Sequence, residues 1–391
     1  MRDDWKQFSL GEIVELGKGG SWGEDDPSVG LNQAVCLRGT DLADLIDGKI
    51  PDAPVRWIKE SELRKSECSK DMVLIETSGS KCGRSIVLTE EILAKFDLPV
   101  IYSNFCRTLT IDIKTVTREF LEIWFSHNYA NGLIPSYRAT SAMPNLDVKA
   151  LLRVEKIKIP PLTEQRRIVD LISSVDSYIE AVQQQLESAK RSRNAVLHEL
   201  LTAGGDDWVE HKLIDMFEIY QPQTIAKSLM SEDGEFIVFG ANGPIGRYHE
   251  FNHDEPEVVV TCRGATCGTI NMTPPKTWIT GNAMVVSPKT SGVSKEFLYW
   301  ALIAGVDIQS VISGSAQPQI TREGLAPVKI KIPPLSRQKE IVDLISGFEL
   351  NICYLQESLH KTKTLRSGLL SDLLSGEHEI PASYDKVMGA A

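Results

Sequence analysis

The 391-residue sequence has no apolar run near the roughly 20 residues that a membrane-spanning helix needs, so we expect no membrane anchor. Its first residues, Met1 to Trp5, are acidic and not apolar, and we expect no secretory signal. The seven cysteines are odd in number and lack framework spacing, which favours free thiols in a reducing cytoplasm. With 42% hydrophobic residues, the composition indicates a globular protein of two to three domains.

The common enzyme motifs are also missing. The sequence contains no phosphate-binding loop, no dinucleotide-binding glycine motif, no methyltransferase Asn-Pro-Pro-aromatic run and no His-Glu-x-x-His motif. Cys262 and Cys267 follow His249 and His253, but small buried thiols are a better interpretation of them than a zinc site. We therefore expect neither a catalytic site nor a metal site in this chain.

An excess of positive charge is absent as well. The formal net charge is −11, whereas a nucleic-acid-binding protein usually shows a basic footprint. Residues 1–156 contain 20 basic and 24 acidic residues, and residues 206–329 contain 9 and 15. Charge alone therefore argues against DNA binding, although a few arginines in a cleft can still create a local positive field.

What the sequence does contain is an internal repeat. Residues 157–173 and 330–346 match at 13 of 17 positions with an offset of 173, and the offset continues to Thr202 and Ser375. Gly204 and Gly376 then close the two copies. The regions before these segments repeat more loosely. The chain therefore consists of variable segments at 1–156 and 206–329, near-constant segments at 157–205 and 330–376, and a tail at 377–391. Two such copies predict an intramolecular pseudo-dimer.

Each near-constant segment predicts a long helix. The prolines Pro160-Pro161 can introduce a helix but not lie inside one, and Thr163 and Ser336 are the expected N-caps. Apolar residues then recur in alternating steps of three and four, which is a heptad seam. A narrow stripe is not stable alone, so we expect the two helices to pair antiparallel about a pseudo-two-fold axis. The seams are Ile172, Val175, Ile179, Val182, Leu186, Ala189, Arg193, Val196 and Leu200 in the first helix, and Ile345, Phe348, Ile352, Leu355, Leu359, Thr362, Arg366, Leu369 and Leu373 in the second.

Arg193 and Arg366 occupy matching positions within these seams. One interpretation is that each arginine sets the register of the helix pair at some cost in stability. The other is that each side chain simply extends past the seam into water. The sequence does not separate the two interpretations.

The variable segments predict two mixed α/β domains. Short apolar runs such as 72–75 and 258–260 indicate strands, glycine-rich clusters such as 78–83 and 264–268 indicate loops, and 120–129 and 297–303 indicate short helices. Loops on such a scaffold are the usual place for function. The predicted fold class is thus α/β (α+β), with two globular domains separated by two long antiparallel coiled-coil helices.

Taken together, these residues resemble the specificity subunits of type I restriction–modification systems. The most specific marks are the paired Ile-Pro-Pro-Leu-x-x-Gln segments (Pro160–Gln165 and Pro333–Gln338), each opening a long helix. The run 238–246 and the Ser-Ala-x-Pro pieces at 141–144 and 315–318 are similar too. The resemblance extends over essentially the whole chain.

The resemblance implies a non-catalytic subunit with two target-recognition domains, 1–156 and 206–329, that each read half of a bipartite asymmetric DNA sequence. The spacer helices, 157–205 and 330–376, would set the half-site spacing and dock two methyltransferase subunits. Those partners would bind S-adenosylmethionine, and two restriction subunits that use ATP and Mg²⁺ can join. No cofactor is expected in this chain, and its location would be cytoplasmic.

Candidate DNA-binding residues are the polar side chains of the loops that occupy corresponding places in the two domains. Base reading favours Arg for guanine and Asn or Gln for adenine, while Lys, Ser and Thr suit phosphates. The candidates are Ser78, Ser80, Lys81, Arg84, Tyr137, Arg138 and Ser141 in the first domain, and Asn242, Arg247, Tyr248, Arg263, Thr266, Ser315, Gln317 and Gln319 in the second. Trp22 is interpreted as a loop anchor rather than a wedge into DNA.

Two other functions stay open at this point. The chain could be a coiled-coil adaptor that keeps the fold without reading DNA, or an enzyme whose site has no recognisable motif. Because neither domain is basic, we expect partner subunits to supply much of the phosphate neutralisation and the isolated chain to bind DNA weakly.

Overall fold

The structure, a computed structural model, describes residues 4–27, 30–140, 144–314 and 317–387 and divides into two compact units. Unit 1 comprises Met1–Glu180 and His360–Ala391, and unit 2 comprises Ala181–Leu359. Both long helices contribute one part to each unit, and unit 1 is therefore built from two separate stretches of chain, whereas unit 2 is one continuous stretch.

Unit 1 is a mixed α/β unit in which the sequence returns to its first strand before the long helix begins. Its elements are β1 (Lys6–Ser9), α1 (Leu10–Ile13), β2 (Val14–Gly19), β3 (Leu31–Leu37), α2 (Asp41–Ile46), β4 (Val55–Lys59), α3 (Glu60–Ser66), β5 (Met72–Glu76), β6 (Ser85–Val87), α4 (Glu90–Leu93), β7 (Val100–Tyr102), β8 (Cys106–Ile111), α5 (Arg118–Ala130), a 3-10 turn (Ile134–Tyr137), α6 (Val148–Val154) and β9 (Lys156–Ile159). One sheet has the antiparallel order β2-β8-β5-β6, a second has the order β4-β3-β7 with β3 and β7 parallel, and β1 pairs with β9.

The first long helix, α7 (Leu162–Thr202), follows β9 and connects unit 1 to unit 2. Unit 2 contains β10 (Val209–Lys212), α8 (Leu213–Met216), β11 (Phe217–Tyr220), a 3-10 turn (Lys227–Leu229), β12 (Phe236–Phe239), β13 (Pro244–Tyr248), β14 (Val258–Thr261), β15 (Ile270–Met272), β16 (Thr277–Ile279), β17 (Ala283–Pro288), α9 (Lys295–Ala304), a 3-10 turn (Gln309–Val311), α10 (Arg322–Leu325) and β18 (Lys329–Ile332). The second long helix, α11 (Leu335–Ser375), and the short α12 (Tyr384–Val387) complete the chain.

The sheets of unit 2 repeat those of unit 1. The orders are β11-β17-β14-β15, β13-β12-β16 with β12 and β16 parallel, and β10-β18. The pairing of Gln7 with Lys158 in unit 1 recurs as that of Glu210 with Lys331 in unit 2. The predicted fold class is confirmed, including the strands at 72–75 and 258–260 and the short helices that became α5 and α9.

The start of each long helix differs slightly from the prediction. Helices α7 and α11 begin at Leu162 and Leu335, directly after the proline pairs, so Thr163 and Ser336 lie inside the first turn. Their prediction as N-caps is wrong. The fixed φ of proline, near −65°, already suits a helix start, and the chain becomes helical without a separate polar cap.

The glutamine that follows the proline pair explains the motif. Gln165 is fully buried. Its Nε2 donates to the carbonyl oxygens of Thr115 (3.1 Å) and Pro160 (2.9 Å), and its Oε1 accepts from the amide of Thr117 (2.7 Å). Thr117 is the N-cap of α5. One side chain therefore joins the start of α7 to the start of α5.

Gln338 makes the same connection in unit 2. Its Nε2 donates to the carbonyl oxygens of Gly292 (2.9 Å) and Pro333 (2.8 Å), and its Oε1 accepts from the amide of Ser294 (2.9 Å), the N-cap of α9. The side-chain amides of both buried glutamines form their hydrogen bonds with backbone groups, and a buried polar side chain requires such partners.

The long helices pack against each other within each unit. In unit 1, Ile168 and Ile172 of α7 share the main core with Leu370 and Leu373 of α11. In unit 2 the helices have a core of their own. Its members are Val182, Leu186, Ile352 and Leu355, with Ala189 and Leu359 against it. Residue numbers rise on one helix as they fall on the other, so the segments run antiparallel in each unit.

The seam residues differ in burial. Ile172, Ile179, Val182, Leu186, Ile345, Ile352 and Leu355 are buried, whereas Val175, Arg193, Phe348, Leu359 and Arg366 are partly buried. Towards the C-terminal ends Leu373 is buried as expected, but Leu197, Leu201 and Leu370 are buried in place of the expected Val196, Leu200 and Leu369, one position earlier. There the helices also pack on the α/β domains, which present a broader surface than a single helix does.

The tail returns to unit 1. Ile380 is buried in the main core of that unit, and Gly376 lies against the ring of Trp5. Both carboxylate oxygens of Asp385 accept hydrogen bonds from Arg167 of α7 (2.7 and 2.6 Å). The hydrogen bonds from Arg167 hold the pKa of Asp385 below its usual value.

We expect Gln165→Ala and Gln338→Ala each to destabilise the chain by about 2–4 kcal/mol, because each leaves buried backbone groups without hydrogen-bond partners and creates a cavity. Urea unfolding of the full chain measures this. Gln183→Ala, at an exposed position of α7, is the matched control and should change stability by less than about 0.5 kcal/mol. Equal stability of all three variants would contradict the role given to the buried amides.

Candidate nucleic-acid interface

The glycine loop of unit 1 follows β5 and is held by its own backbone. The amide of Cys82 donates to the carbonyl of Gly79 (3.1 Å), and that of Gly83 donates to Glu76 (2.7 Å). The amide of Gly79 donates to the carbonyl of Pro144 (3.0 Å), which joins the loop to the segment before α6. Gly79 and Gly83 have φ values of +117° and +99°, a region that favours glycine.

The glycine loop of unit 2 has the same hydrogen bonds. The amide of Cys267 donates to Gly264 (3.0 Å), that of Gly268 donates to Thr261 (2.8 Å), and that of Gly264 donates to Pro318 (3.1 Å). We call each glycine loop together with its proline segment a recognition frame: residues 78–83 with 144–146 in unit 1, and 263–268 with 317–320 in unit 2. The backbone of the frame is the same in both units.

The side chains on the two frames differ. Ser78 and Asn145 form a backbone bridge in unit 1, and their counterparts in unit 2, which form the same bridge, are Arg263 and Gln319. At the place of Lys81, unit 2 has Thr266. The same scaffold therefore presents a different set of donors and acceptors in each unit.

In unit 1 the frame borders a cleft of about 300 Å³. Four candidates line it: Ser78, Ser80, Lys81 and Arg84. Ser80 and Lys81 are exposed, whereas Ser78 is half-buried. The arrangement brings polar and cationic groups together at one concave place, as a site for an anionic polymer requires.

Arg84 has an internal role. Its Nε donates to Glu76 Oε2 (2.9 Å) and its Nη2 to the carbonyl of Gly39 (3.1 Å). The Glu76 side chain is only 4% exposed. A buried carboxylate needs such a partner, so much of the guanidinium is already engaged inside the domain.

The other two described candidates of unit 1 are also held internally. Arg138 Nε donates to the carbonyl of Cys82 (2.8 Å), and its guanidinium lies 5.6 Å from the ring centre of Tyr129. The Tyr137 hydroxyl donates to Glu155, and this hydrogen bond raises the pKa of Tyr137 to about 12. Ser141 lies outside the described residues.

In unit 2 the frame carries four exposed candidates, Arg263, Thr266, Gln317 and Gln319. Asn242 is exposed as well, and its Oδ1 accepts from Asn271 Nδ2 (2.9 Å). Ser315 lies outside the described residues.

Arg247 and Tyr248 belong to a different place, the β12–β13 hairpin. Arg247 donates from Nε to the carbonyl of Gly234 (2.6 Å) and from Nη2 to that of Glu235 (2.7 Å). Tyr248 packs edge-on against Trp278, with ring centres 5.3 Å apart. These contacts stabilise the hairpin, and neither residue belongs to the recognition frame of unit 2.

Sequence reasoning missed two residues beside the frame of unit 1. Arg38 and Phe105 line the cleft there, together with Trp22. Phe105 has a counterpart in Asn282, because their carbonyls accept from Thr77 (2.8 Å) and Cys262 (3.1 Å), the residues just before each glycine loop. The signal that could have identified Phe105 and Asn282 is their position, since each is an exposed residue directly before a buried strand, β8 or β17.

Trp22 contacts Arg56, whose guanidinium lies 4.6 Å from the ring centre and whose Nε donates to the Trp22 carbonyl (3.0 Å). The indole nevertheless stays 36% exposed at the cleft. The contacts agree with the interpretation of Trp22 as a loop anchor.

The cysteine–histidine run of unit 2 lies close to the frame. The Cys262 thiol is buried and donates to the carbonyl of Asn282 (3.1 Å). His253 accepts or donates a hydrogen bond with the Tyr220 hydroxyl (2.9 Å). Throughout the described part of the chain, no three His, Cys, Asp or Glu side chains are grouped so as to hold a metal ion. Likewise, none of the described helices is long and apolar enough to cross a membrane.

The protein is a duplicated α/β fold, in which each copy has the same frame and is completed by part of a long helix pair. A family model described as "Type I restriction modification DNA specificity domain" matches residues 2–191 and 205–361. The chain belongs to this family of type I restriction–modification specificity subunits.

Known relatives are distant in sequence. The type I restriction enzyme MjaVIII specificity subunit of Methanocaldococcus jannaschii is 20% identical over 424 aligned positions, which cover 96% of this chain and 93% of that protein. The putative MjaX specificity subunit of the same organism is 22% identical over 252 residues, or 57% of this chain and 59% of that protein. The chain thus spans less than two thirds of the MjaX relative.

Solved structures show the same fold. The type I system S subunit from M. genitalium aligns with a TM-score of 0.57 at 17% identity, covering 96% of this chain and 97% of that one. A chain from a structural study of assembly and conformational transition of the type I system aligns with a TM-score of 0.64 at 17% identity, covering 96% and 98%.

We expect Arg84→Ala to destabilise the chain by about 3 kcal/mol, because it leaves the buried Glu76 carboxylate without its partner. Lys81→Ala, in the same loop but exposed, should change stability by less than about 0.5 kcal/mol. Thermal and urea unfolding of the two variants measure the difference. A silent Arg84 substitution would show that its contacts inside the domain are not structural.

Proposed function

We propose that this chain is the DNA-specificity subunit of a type I restriction–modification complex and that each unit reads one half of a bipartite, asymmetric target. The observation that carries the proposal is the recognition frame, built twice with the same backbone and different side chains. A shared backbone lets both units approach DNA in the same way. Different side chains let the half-sites differ, since sequence is read by side-chain contacts to base edges.

Within each frame we separate reading residues from supporting residues. Arg263, Gln317, Gln319 and Asn242 in unit 2 are exposed and of the types that pair with guanine or adenine. Lys81 in unit 1 suits a phosphate. Ser78, Ser80, Thr266, Ser141 and Ser315 stay candidates for further contacts, and Arg84, Tyr137, Arg138, Arg247 and Tyr248 support the loops.

We propose that α7 and α11 set the distance between the half-sites. Each helix has 41 residues without a proline and is roughly 60 Å long at 1.5 Å per residue. Half-sites one turn of DNA apart are centred about 34 Å from each other, which is within that length.

The outer faces of the helices support the docking of two methyltransferase subunits. Apolar side chains that take no part in the seam are exposed there: Tyr178 on α7, and Leu344, Leu350, Tyr354 and Leu365 on α11. Leu350 and Tyr354 lie one helical turn apart on α11, and adjacent exposed apolar side chains favour contact with another protein. In this proposal the partners bind S-adenosylmethionine, and restriction subunits that join bind ATP and Mg²⁺.

The acidity of the chain fits a shared DNA interface. Since the net charge is −11, we propose that much of the phosphate neutralisation comes from the methyltransferase subunits and that only the frames of this chain contribute local positive charge. The frames would then supply specificity and the partners most of the affinity.

The test is a genome-wide map of N6-methyladenine in a host that carries this gene, its deletion, or Arg263→Ala. We expect a split motif that disappears on deletion. Arg263→Ala should relax one position of one half-site, because a lost base contact is worth about 1–3 kcal/mol, or roughly 5- to 150-fold. The other half-site should be unchanged.

Lys81→Ala provides the matched comparison, because loss of a phosphate contact should lower methylation evenly without changing the motif. A map that is the same with and without the gene would refute the proposal. If the chain then still co-purified with a methyltransferase, the adaptor function would apply instead.

For docking, we expect Leu350→Glu with Tyr354→Glu to abolish co-purification of the methyltransferase subunit while the chain stays folded, because charged groups replace the apolar contact. Gln356→Glu, at an exposed polar position of the same helix, is the control and should retain the partner. Pull-down and thermal unfolding give the two readouts. Retention of the partner by the double variant would place docking elsewhere.

A further inference from the structure

The two seam arginines are paired with carboxylates of the facing helix. In unit 1, Arg366 of α11 binds Asp176 of α7 through Nε and through Nη2 (2.8 Å). In unit 2, Arg193 of α7 binds Glu349 of α11. The offset of 173 that relates the arginines also relates Asp176 to Glu349, so the two pairs are copies of each other.

Each arginine also lies beside the short helix of its own domain. The guanidinium of Arg193 is 5.7 Å from the ring centre of Trp300 in α9. In unit 1, burial lowers the pKa of His127 in the last turn of α5, and the charge of Arg366 lowers it further. Arg193 thus lies where both long helices and α9 come together, and the charge of Arg366 acts on α5 in the same way.

Alternative registers of the helix pair lose both ion pairs. A shift of one heptad would place Arg193 opposite Val342 or Gln356, and Arg366 opposite Val169 or Gln183, counted from the sequence. The apolar seam tolerates such shifts better, because its branched side chains recur with the same period. The carboxylates occur only once per helix at the required place, so they discriminate between registers.

The pairs contribute little to overall stability. Asp176 and Glu349 are 46% and 40% exposed, and ion pairs at such positions are worth no more than about 1 kcal/mol. Their effect on the choice between registers is larger than their effect on stability. A shifted register loses a favourable ion pair and buries an arginine against apolar or amide groups, and it does so at two places. The arrangement is thus suited to specifying geometry.

We propose that the reciprocal pairs Asp176–Arg366 and Glu349–Arg193 lock the register of α7 and α11, and that this lock restricts the complex to one spacer length between its DNA half-sites. The inference rests on the proposed function, since spacing has meaning only if both units read DNA. The four residues are positioning residues, because they act through the helices and not on the bases.

The experiment uses the full chain with its methyltransferase in the host. The variants are Asp176→Arg, Arg366→Asp and the swap that combines them, with the equivalent series at Glu349 and Arg193. Genome-wide N6-methyladenine mapping reports spacer length, and thermal unfolding of the purified chain reports stability. The control reverses Glu187 and Lys190, an ion pair (2.9 Å) within α7 that does not cross to α11.

We expect the wild type and the Glu187/Lys190 control to methylate targets of one spacer length. Each single reversal should lower methylation at that length by about fivefold or add targets whose spacer differs by a base pair, and it should lower Tm by about 2–4 °C. The swaps should restore both readouts. Arg366→Lys keeps the charge and should retain the spacer even if a reversal variant fails to fold.

Unchanged methylation and spacer length in the single variants would overturn the inference, as would swaps that restore neither readout. If no motif depends on the wild-type gene, the proposed function fails by itself. The unfolding measurements then still decide whether the pairs lock the register: recovery of Tm in the swaps supports the lock, and additive losses refute it.

Discussion

The pairing of two long helices is the constraint on which the remaining structure depends. Neither helix buries enough surface to persist alone in water, since its apolar residues form a narrow stripe. In each unit the stripe is completed by the other helix and by an α/β domain, so that Ile168 of α7 and Ile341 of α11 belong to the main cores. Each helix is therefore part of both cores, and unit 1 combines two stretches of chain that are far apart in sequence.

The buried glutamines convert this pairing into a defined orientation of the domains. Gln165 and Gln338 sit at the first turn of a long helix and bind the backbone at the N-cap of α5 or α9. A buried amide tolerates little movement, because any shift leaves donors and acceptors without partners. The helices α5 and α9 are therefore each tied to the start of a long helix at a fixed place.

Duplication gives one chain two frames that share a backbone arrangement and differ in their side chains. The hydrogen bonds of the frames are the same in the two units, whereas Ser78, Lys81 and Asn145 are replaced by Arg263, Thr266 and Gln319. Under the proposed function, backbone geometry would set how a frame approaches DNA, and side chains would set which bases it selects. With a net charge of −11, the chain would leave most of the phosphate neutralisation to its partners.

Local pattern determined much of this protein. The repeat, the long helices after Pro160 and Pro333, the strand at 72–75 and the glycine loops were all evident in the sequence, because apolar period and proline or glycine punctuation act over a few residues. The tertiary structure decided which polar groups meet. Arg84 and Lys81 look equivalent in the loop, but only Arg84 faces the buried Glu76, and Arg193 has a carboxylate partner only because Glu349 comes from the other helix. Such pairings depend on chain segments far apart in sequence, and no local period encodes them.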